Sequence, residues 1–290
     1  MGGTIDYRMA TIGSVLKRSL DDRGGEPLLT LDPAFQGLPD TAHGGSVLAA
    51  FDALAGIGGP RAVSGVYRKR VPLGVPLALA HAREAEAHAF VLRDADGSVL
   101  VDGRVAAAAA DAGPHAAASA RDGHPLPVSR ACFACGTENP LGLRVRLAFD
   151  DRAVWSAWTP RAPFREPDGA LAPAALTTLL DETAFWLGAL ATGESGMTTD
   201  LAVTLHGPVP FGAALTVSGR RAAVRPHADD RRYWDTEVAA RDAAGALVAS
   251  ARITFVAVRG AARRLVTGML AINDADVVRR VFPAYARARA

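Results

Sequence analysis

Apolar and polar positions along the chain follow two rhythms. From Gly45 to Ile57 the residues Val47, Leu48, Phe51 and Leu54 recur at helical spacing, and the run stops at Gly56 and Gly58-Gly59-Pro60. Leu176, Leu179, Leu180 and Phe185 repeat that rhythm, with Pro173 in the first turn, where a missing N–H is tolerated. Strand-like runs follow each helix: residues 62–71, 76–94 and 98–109 after the first, and 198–207, 214–225, 233–243 and 246–258 after the second. Gly, Asp and Pro punctuate them as turns. One helix followed by a meander of antiparallel strands, twice over, predicts an α+β layout in which a sheet wraps a helix. The segment from Asp274 onward predicts a short helix outside this repeated part.

The two halves align as copies. FQGLPDTAHGGSVLAAFD (Phe35–Asp52) falls on FREPDGALAPAALTTLLD (Phe164–Asp181) at an offset of 129. Val71-Pro72 then falls on Val209-Pro210 at 138, and Gly97 and Arg104 fall on Gly245 and Arg252 at 148. The offset grows through longer loops in the second copy. The expected organisation is a first unit over 1–110, a linker over 111–130 rich in Ala, Gly, Ser and Pro, a second unit over 131–258 and a basic tail over 259–290.

A chain of 290 residues suffices for two such units, and 49% hydrophobic with 21% charged residues is ordinary for a globular protein. The net charge of +2 gives no reason to expect nucleic acid, although the tail carries seven arginines against two aspartates. No apolar run is long enough to cross a membrane and the first residues lack a secretory pattern, so the cytoplasm is the expected location. Cys132 and Cys135 stand as C-x-x-C without a second pair; a zinc site would need histidines to complete it, and packing residues in a turn with no metal is the expectation.

FQG-x-P-x-x-x-HGG with an Asp nine residues after the His, the leader CFACGTENPLGLRVRLAF (Cys132–Phe149), the V-P-x-G strand and LLDE (Leu179–Glu182) together resemble the PaaI-like hotdog-fold acyl-CoA thioesterases. The resemblance covers residues 28–110 and 131–258 and implies a double hotdog, each unit a helix wrapped by an antiparallel sheet, the two sheets joined. It further implies hydrolysis of a small acyl thioester, linked to coenzyme A or to a carrier protein, with no cofactor, and allows pairing of two chains into a homodimer. In that family a helix N-terminus polarises the carbonyl while a carboxylate comes from the partner unit's helix.

Carried onto this chain, site one combines His43, Gly44 and Gly45 with Asp181, and site two combines Ala172, Pro173 and Ala174 with Asp52. Pro173 lacks an N–H and no imidazole is present, so site two is expected to be degenerate. Thr177, one turn before Asp181, is placed to hydrogen-bond an attacking water, or is a plain helix-surface hydroxyl; Glu182 is expected in solvent. Phe35, Gln36, the cluster Arg68, Lys69 and Arg70, and Trp186 are the candidate substrate contacts. For the basic cluster a solvated edge strand is the alternative, and for Trp186 core filling. A silent acyl-binding double hotdog and a hydratase or dehydratase are the competing functions; Asp40 and His43, three apart, fit the latter's pattern poorly.

Overall fold

The computed structural model describes residues 7–21, 27–109 and 122–286. The first half contributes α1 (Ile12–Ser19), α2 (Gly44–Ala55), β1 (Arg61–Tyr67), β2 (Leu77–Glu84), β3 (Ala87–Arg93) and β4 (Val99–Ala107). The second contributes β5 (Ala153–Trp158), α3 (Pro173–Thr192), β6 (Gly196–Leu205), β7 (Leu215–Arg220), β8 (Tyr233–Asp242) and β9 (Leu247–Ala257). The long strands form one antiparallel sheet in the order β2-β3-β4-β1-β6-β9-β8-β7-β5, with two-residue strands beyond both ends. The centre is β1 against β6, paired from Arg61↔Leu205 to Val66↔Asp200. On either side of that seam the same order reads outward, which is what two copies related by a two-fold produce.

The turns explain the pairing. Gly97 and Gly245, matched by the repeat, both take left-handed backbone (φ 80° and 84°) in the last hairpin of their units. The run 76–94, read above as one strand, folds back at Ala85, which adopts φ 42° without a glycine to ease it.

Both helices press on the sheet. Phe51 of α2 stacks on Phe90 of β3 at 4.9 Å, and a Cβ at Gly103 would lie 2.4 Å from the Phe51 ring. On α3 the arrangement is inverted: the helix carries the gap, Gly188, and β9 carries the ring, Phe255. Burying such a side chain contributes roughly 1.5–3 kcal/mol. The helices also meet each other. A Cβ at Gly45 would fall 2.6 Å from the backbone of Thr177 and Thr178, so only glycine allows this approach.

Two segments outside the repeat complete the core. The leader lies on the first unit: the Phe133 N–H donates to the Gln36 carbonyl at 2.5 Å, and Asn139 Nδ2 donates to the Ala34 carbonyl at 2.7 Å. The tail forms two helices outside the repeat, α4 (Ala262–Leu270) and α5 (Ala275–Val281), of which the second falls in the segment expected to be helical. Val266, Met269, Val278 and Phe282 are buried; Phe282, just after α5, lies 6.2 Å from Trp186 of α3, and Met269 of α4 shares a cavity wall with it. Of the expected linker, residues 111–121 lie outside the described residues; His124–Pro125 is a short strand paired with Ala148–Phe149. Among the described residues no helix is long and apolar enough to cross a membrane.

The close helix contact makes a prediction about stability. Gly45→Ala should lower the unfolding free energy by about 1–3 kcal/mol, the usual cost of overpacking. Gly58→Ala, where an added Cβ meets nothing within 4 Å, should stay within about 0.5 kcal/mol of the parent. Urea denaturation of both variants checks this; equal midpoints would refute it.

Candidate active site

The site grows from the start of α2. His43 is its N-cap, in extended backbone (φ −66°, ψ 132°), and this aims the ring across the helix mouth. Asp181, in the third turn of α3, reaches the same point. Its Oδ2 accepts from the Gly45 N–H at 3.0 Å and lies 3.1 Å from His43 Nδ1, while its Oδ1 accepts from Thr198 Oγ1 at 2.6 Å. A Cβ at Gly44 would sit 2.7 Å from Asp181 Oδ2, so this glycine is what admits the carboxylate.

Charge follows geometry. Burial pushes the Asp181 carboxyl up, but the His43 charge and the bonds from His43, Thr198 and Gly45 outweigh it and hold the group below the ordinary aspartate range. Burial likewise pushes the His43 ring down, yet Asp181 and then Glu182 raise it well above the usual histidine value. Glu182 is not in solvent as expected. It is buried, its Oε2 lies 3.4 Å from His43 Nε2, and its Oε1 accepts from Trp186 Nε1 at 3.0 Å.

These groups line a cavity of about 100 Å³. Gly44 borders it, and among the described residues the Gly44 N–H has no partner. The Gly45 N–H is spent on Asp181, so the free donor at the helix N-terminus is Gly44. Phe185, Trp186, Leu265 and Met269 form an apolar wall, the last two from α4. Lys69 and Arg70 border the cavity, and Arg70 also edges a smaller neighbouring pocket with Arg264.

Several expected site residues serve elsewhere. The Thr177 hydroxyl is fully buried and donates to the Gly45 carbonyl at 2.7 Å, a clamp between the helices that leaves nothing for a water. Phe35 is core, edge-on to Phe133 at 5.0 Å, and Gln36 braces its own loop by accepting from the Asp40 N–H at 3.3 Å. Arg68 is exposed and paired with Asp102 at 2.5 Å. Lys69, Arg70 and Trp186 do reach the cavity. The residues that the sequence did not offer are Thr198, Glu182 as a buried group, and Tyr67, whose hydroxyl donates to the Gly44 carbonyl at 2.6 Å. Cys132 also lines the cavity, with Sγ 3.9 Å from Glu182 Oε2.

The matching place in the second copy is built differently. Pro173 occupies the first position of α3, where Gly44 stands in α2, so no N–H is available there. Both oxygens of Asp52 accept from Arg61, Oδ1 from Nε and Oδ2 from a terminal nitrogen at 2.7 Å.

Comparisons bear on the fold. No protein-family model matches the chain, and no curated protein matches it. Among solved structures, a thioesterase II candidate from Thermobifida fusca YX is 17% identical, with 89% of this chain and 100% of that one covered at a TM-score of 0.59. The TesB protein of Mycobacterium avium subsp. paratuberculosis is 14% identical, with 85% and 98% covered at 0.59. A dehydratase domain of the curacin polyketide synthase is 11% identical, with 84% and 87% covered at 0.51. A conserved protein from Alicyclobacillus acidocaldarius, similar over 85% of this chain, carries the hotdog description. At these identities the likeness establishes architecture: the chain is a double hotdog of the α+β class.

Proposed function

We propose that the protein hydrolyses an acyl thioester in the cavity between α2 and α3. The observation that carries this reading is the meeting of an unpartnered helix N-terminal N–H (Gly44) with an ionised carboxylate (Asp181) across the seam of the two units. A carbonyl oxygen seated at Gly44 gains a hydrogen bond and the positive end of the α2 dipole as negative charge develops on it. Asp181, kept ionised by its three donors, takes the proton of the attacking water. Breaking the C–S bond then releases the acid and the thiol. Thr198 and Gly45 fix the carboxylate, and Tyr67 fixes the Gly44 peptide. The wall of Phe185, Trp186, Leu265 and Met269 suits an apolar acyl group, and Lys69, Arg70 and Arg264 suit the phosphates of coenzyme A. Thioesterases among the structural neighbours agree with the reading.

A second reading rests on the His43–Asp181 contact, since dehydration also uses a His and an Asp, and a dehydratase is among the neighbours. Both ring nitrogens of His43 face carboxylates, however, which leaves none for a substrate's Cα–Cβ bond. Assaying acyl-CoAs for free thiol and 3-hydroxyacyl thioesters for water loss separates the two; activity with neither leaves a silent binder.

The asymmetry gives the sharpest test. Asp181→Asn should reduce thiol release by at least ~10²-fold, the typical loss on removing a positioned base. Asp52→Asn should leave turnover per folded molecule within a few-fold, while lowering stability by about 3–5 kcal/mol because the Arg61 charge stays behind unpaired. Steady-state assays with thermal melts read both; a silent Asp52→Asn beside an active Asp181→Asn would assign the reaction to the other interface.

The basic rim predicts which thiol is used. Arg70→Ala should raise KM for an acyl-CoA about tenfold, in keeping with loss of a charged hydrogen bond, and leave KM for the matching acyl-pantetheine nearly unchanged. Equal effects on both substrates would detach Arg70 from the phosphates.

A further inference from the structure

The hydrolytic reading leaves one part of the cavity unused. His43 Nε2, Cys132 Sγ and Glu182 Oε2 all lie within 4.8 Å of one another, and all three side chains are buried. The nitrogen and the carboxylate oxygen are 3.4 Å apart, the sulfur and that oxygen 3.9 Å. Zinc bonds of about 2.0–2.1 Å to nitrogen or oxygen and about 2.3 Å to sulfur set tetrahedral edges of about 3.3–3.6 Å. The nitrogen–oxygen edge matches such a polyhedron, the sulfur–oxygen edge exceeds it by a few tenths of an ångström, and the nitrogen and sulfur stand within 4.8 Å, so closing the site on an ion draws the sulfur inward.

Each donor is also aimed from behind. Nδ1 of His43 faces Asp181 Oδ2 at 3.1 Å, the carboxylate–histidine arrangement that orients a metal-binding ring. Trp186 Nε1 holds Glu182 Oε1 and so leaves Oε2 for the cluster. Cys132 Sγ accepts from the Ala134 N–H at 3.3 Å. The C-x-x-C pair has no second pair in sequence; the fold supplies the other ligands from α2 of one unit and α3 of the other.

We infer that His43, Cys132 and Glu182 bind one divalent zinc-class cation. Nitrogen, sulfur and oxygen together favour a borderline-soft ion over magnesium or calcium. On binding, the Cys132 thiol and the Nε2–H of the charged His43 ring each give up a proton to solvent; the sulfur and the nitrogen take metal bonds, and Nδ1–H stays on Asp181. The fourth position faces the cavity, which Cys135 also lines. Because the ligands come from both units and the leader, the ion ties all three together.

The test uses the full chain, stripped of metal with chelator under reductant and titrated with cobalt(II). The expected result is a thiolate-to-cobalt charge-transfer band that saturates at one ion per chain and is displaced by zinc, with a rise in melting temperature. Cys132→Ser should abolish the band. Asp181→Asn should keep it but bind cobalt about 10–100-fold more weakly, the usual effect of losing a partner behind a metal-bound histidine. Replacing the exposed pair His81 and His88 by alanine should leave the stoichiometry at one. Absence of the band in the folded parent protein overturns the inference, as does one cobalt per chain in Cys132→Ser. Since the readout is metal and not turnover, a protein that binds cobalt but hydrolyses no thioester refutes the proposed function alone.

Discussion

A buried carboxylate has to be answered by donors, and the way Asp181 is answered organises this molecule. At 4% exposure it has lost nearly all its water, and it recovers three donors: the Gly45 N–H, the Thr198 hydroxyl and the His43 ring. Those donors sit on α2, β6 and the loop before α2, so satisfying one carboxylate fixes three elements at once. Both glycines are needed for opposite reasons: Gly44 makes room for the carboxylate and Gly45 makes room for the α3 backbone. Tyr67, at the end of β1, ties the seam strand to the Gly44 carbonyl, so the helix contact and the β1–β6 pairing support one another.

The second copy shows what happens when that arrangement is lost. With Pro173 and Ala174 in place of Gly44 and Gly45, the α3 N-terminus has one N–H fewer and a side chain at each position. Asp52, matched to Asp181 by the repeat, is just as buried and still carries a charge to be balanced. It is balanced by Arg61 from its own unit. A carboxylate locked to a guanidinium is a structural group; one held by a helix mouth and a hydroxyl stays beside the cavity and available to it.

The repeat made two like α+β units legible, because blocks that match in order imply units that pack alike; the double hotdog and the meeting of His43 with Asp181 were what the resemblance to hotdog thioesterases added. The roles of single residues were harder to read, for physical reasons. Helical-face reasoning placed Glu182 in solvent and Thr177 on the surface, which assumes that a helix has a polar side. From Ala174 to Ala184 every residue of α3 is buried, since the sheet, α2, the leader and the tail surround it. Thr198 read as one polar position in a strand; the irregularity in the β6–β9 register between Thr198 and Asp200 lies where its hydroxyl meets Asp181. The letters of the FQG motif build the loop before α2: Phe35 fills core and the Gln36 carbonyl receives the leader.

What distinguishes the two ends of the seam, finally, is the chain outside the repeat. At site one the Cys132 leader docks on the loop of the first unit, and α4 adds Leu265 and Met269 to the wall, so the closure is apolar but leaves a cavity. At the other end α1 packs against α2 and the turn at Ala162–Phe164, with Gly13 set directly against the Glu166 carboxylate. One end is therefore covered by a short helix and the other by a leader that brings a thiol to a histidine and two carboxylates. A duplicated fold offers two equivalent helix mouths, and the added segments allow each to be closed for a different purpose.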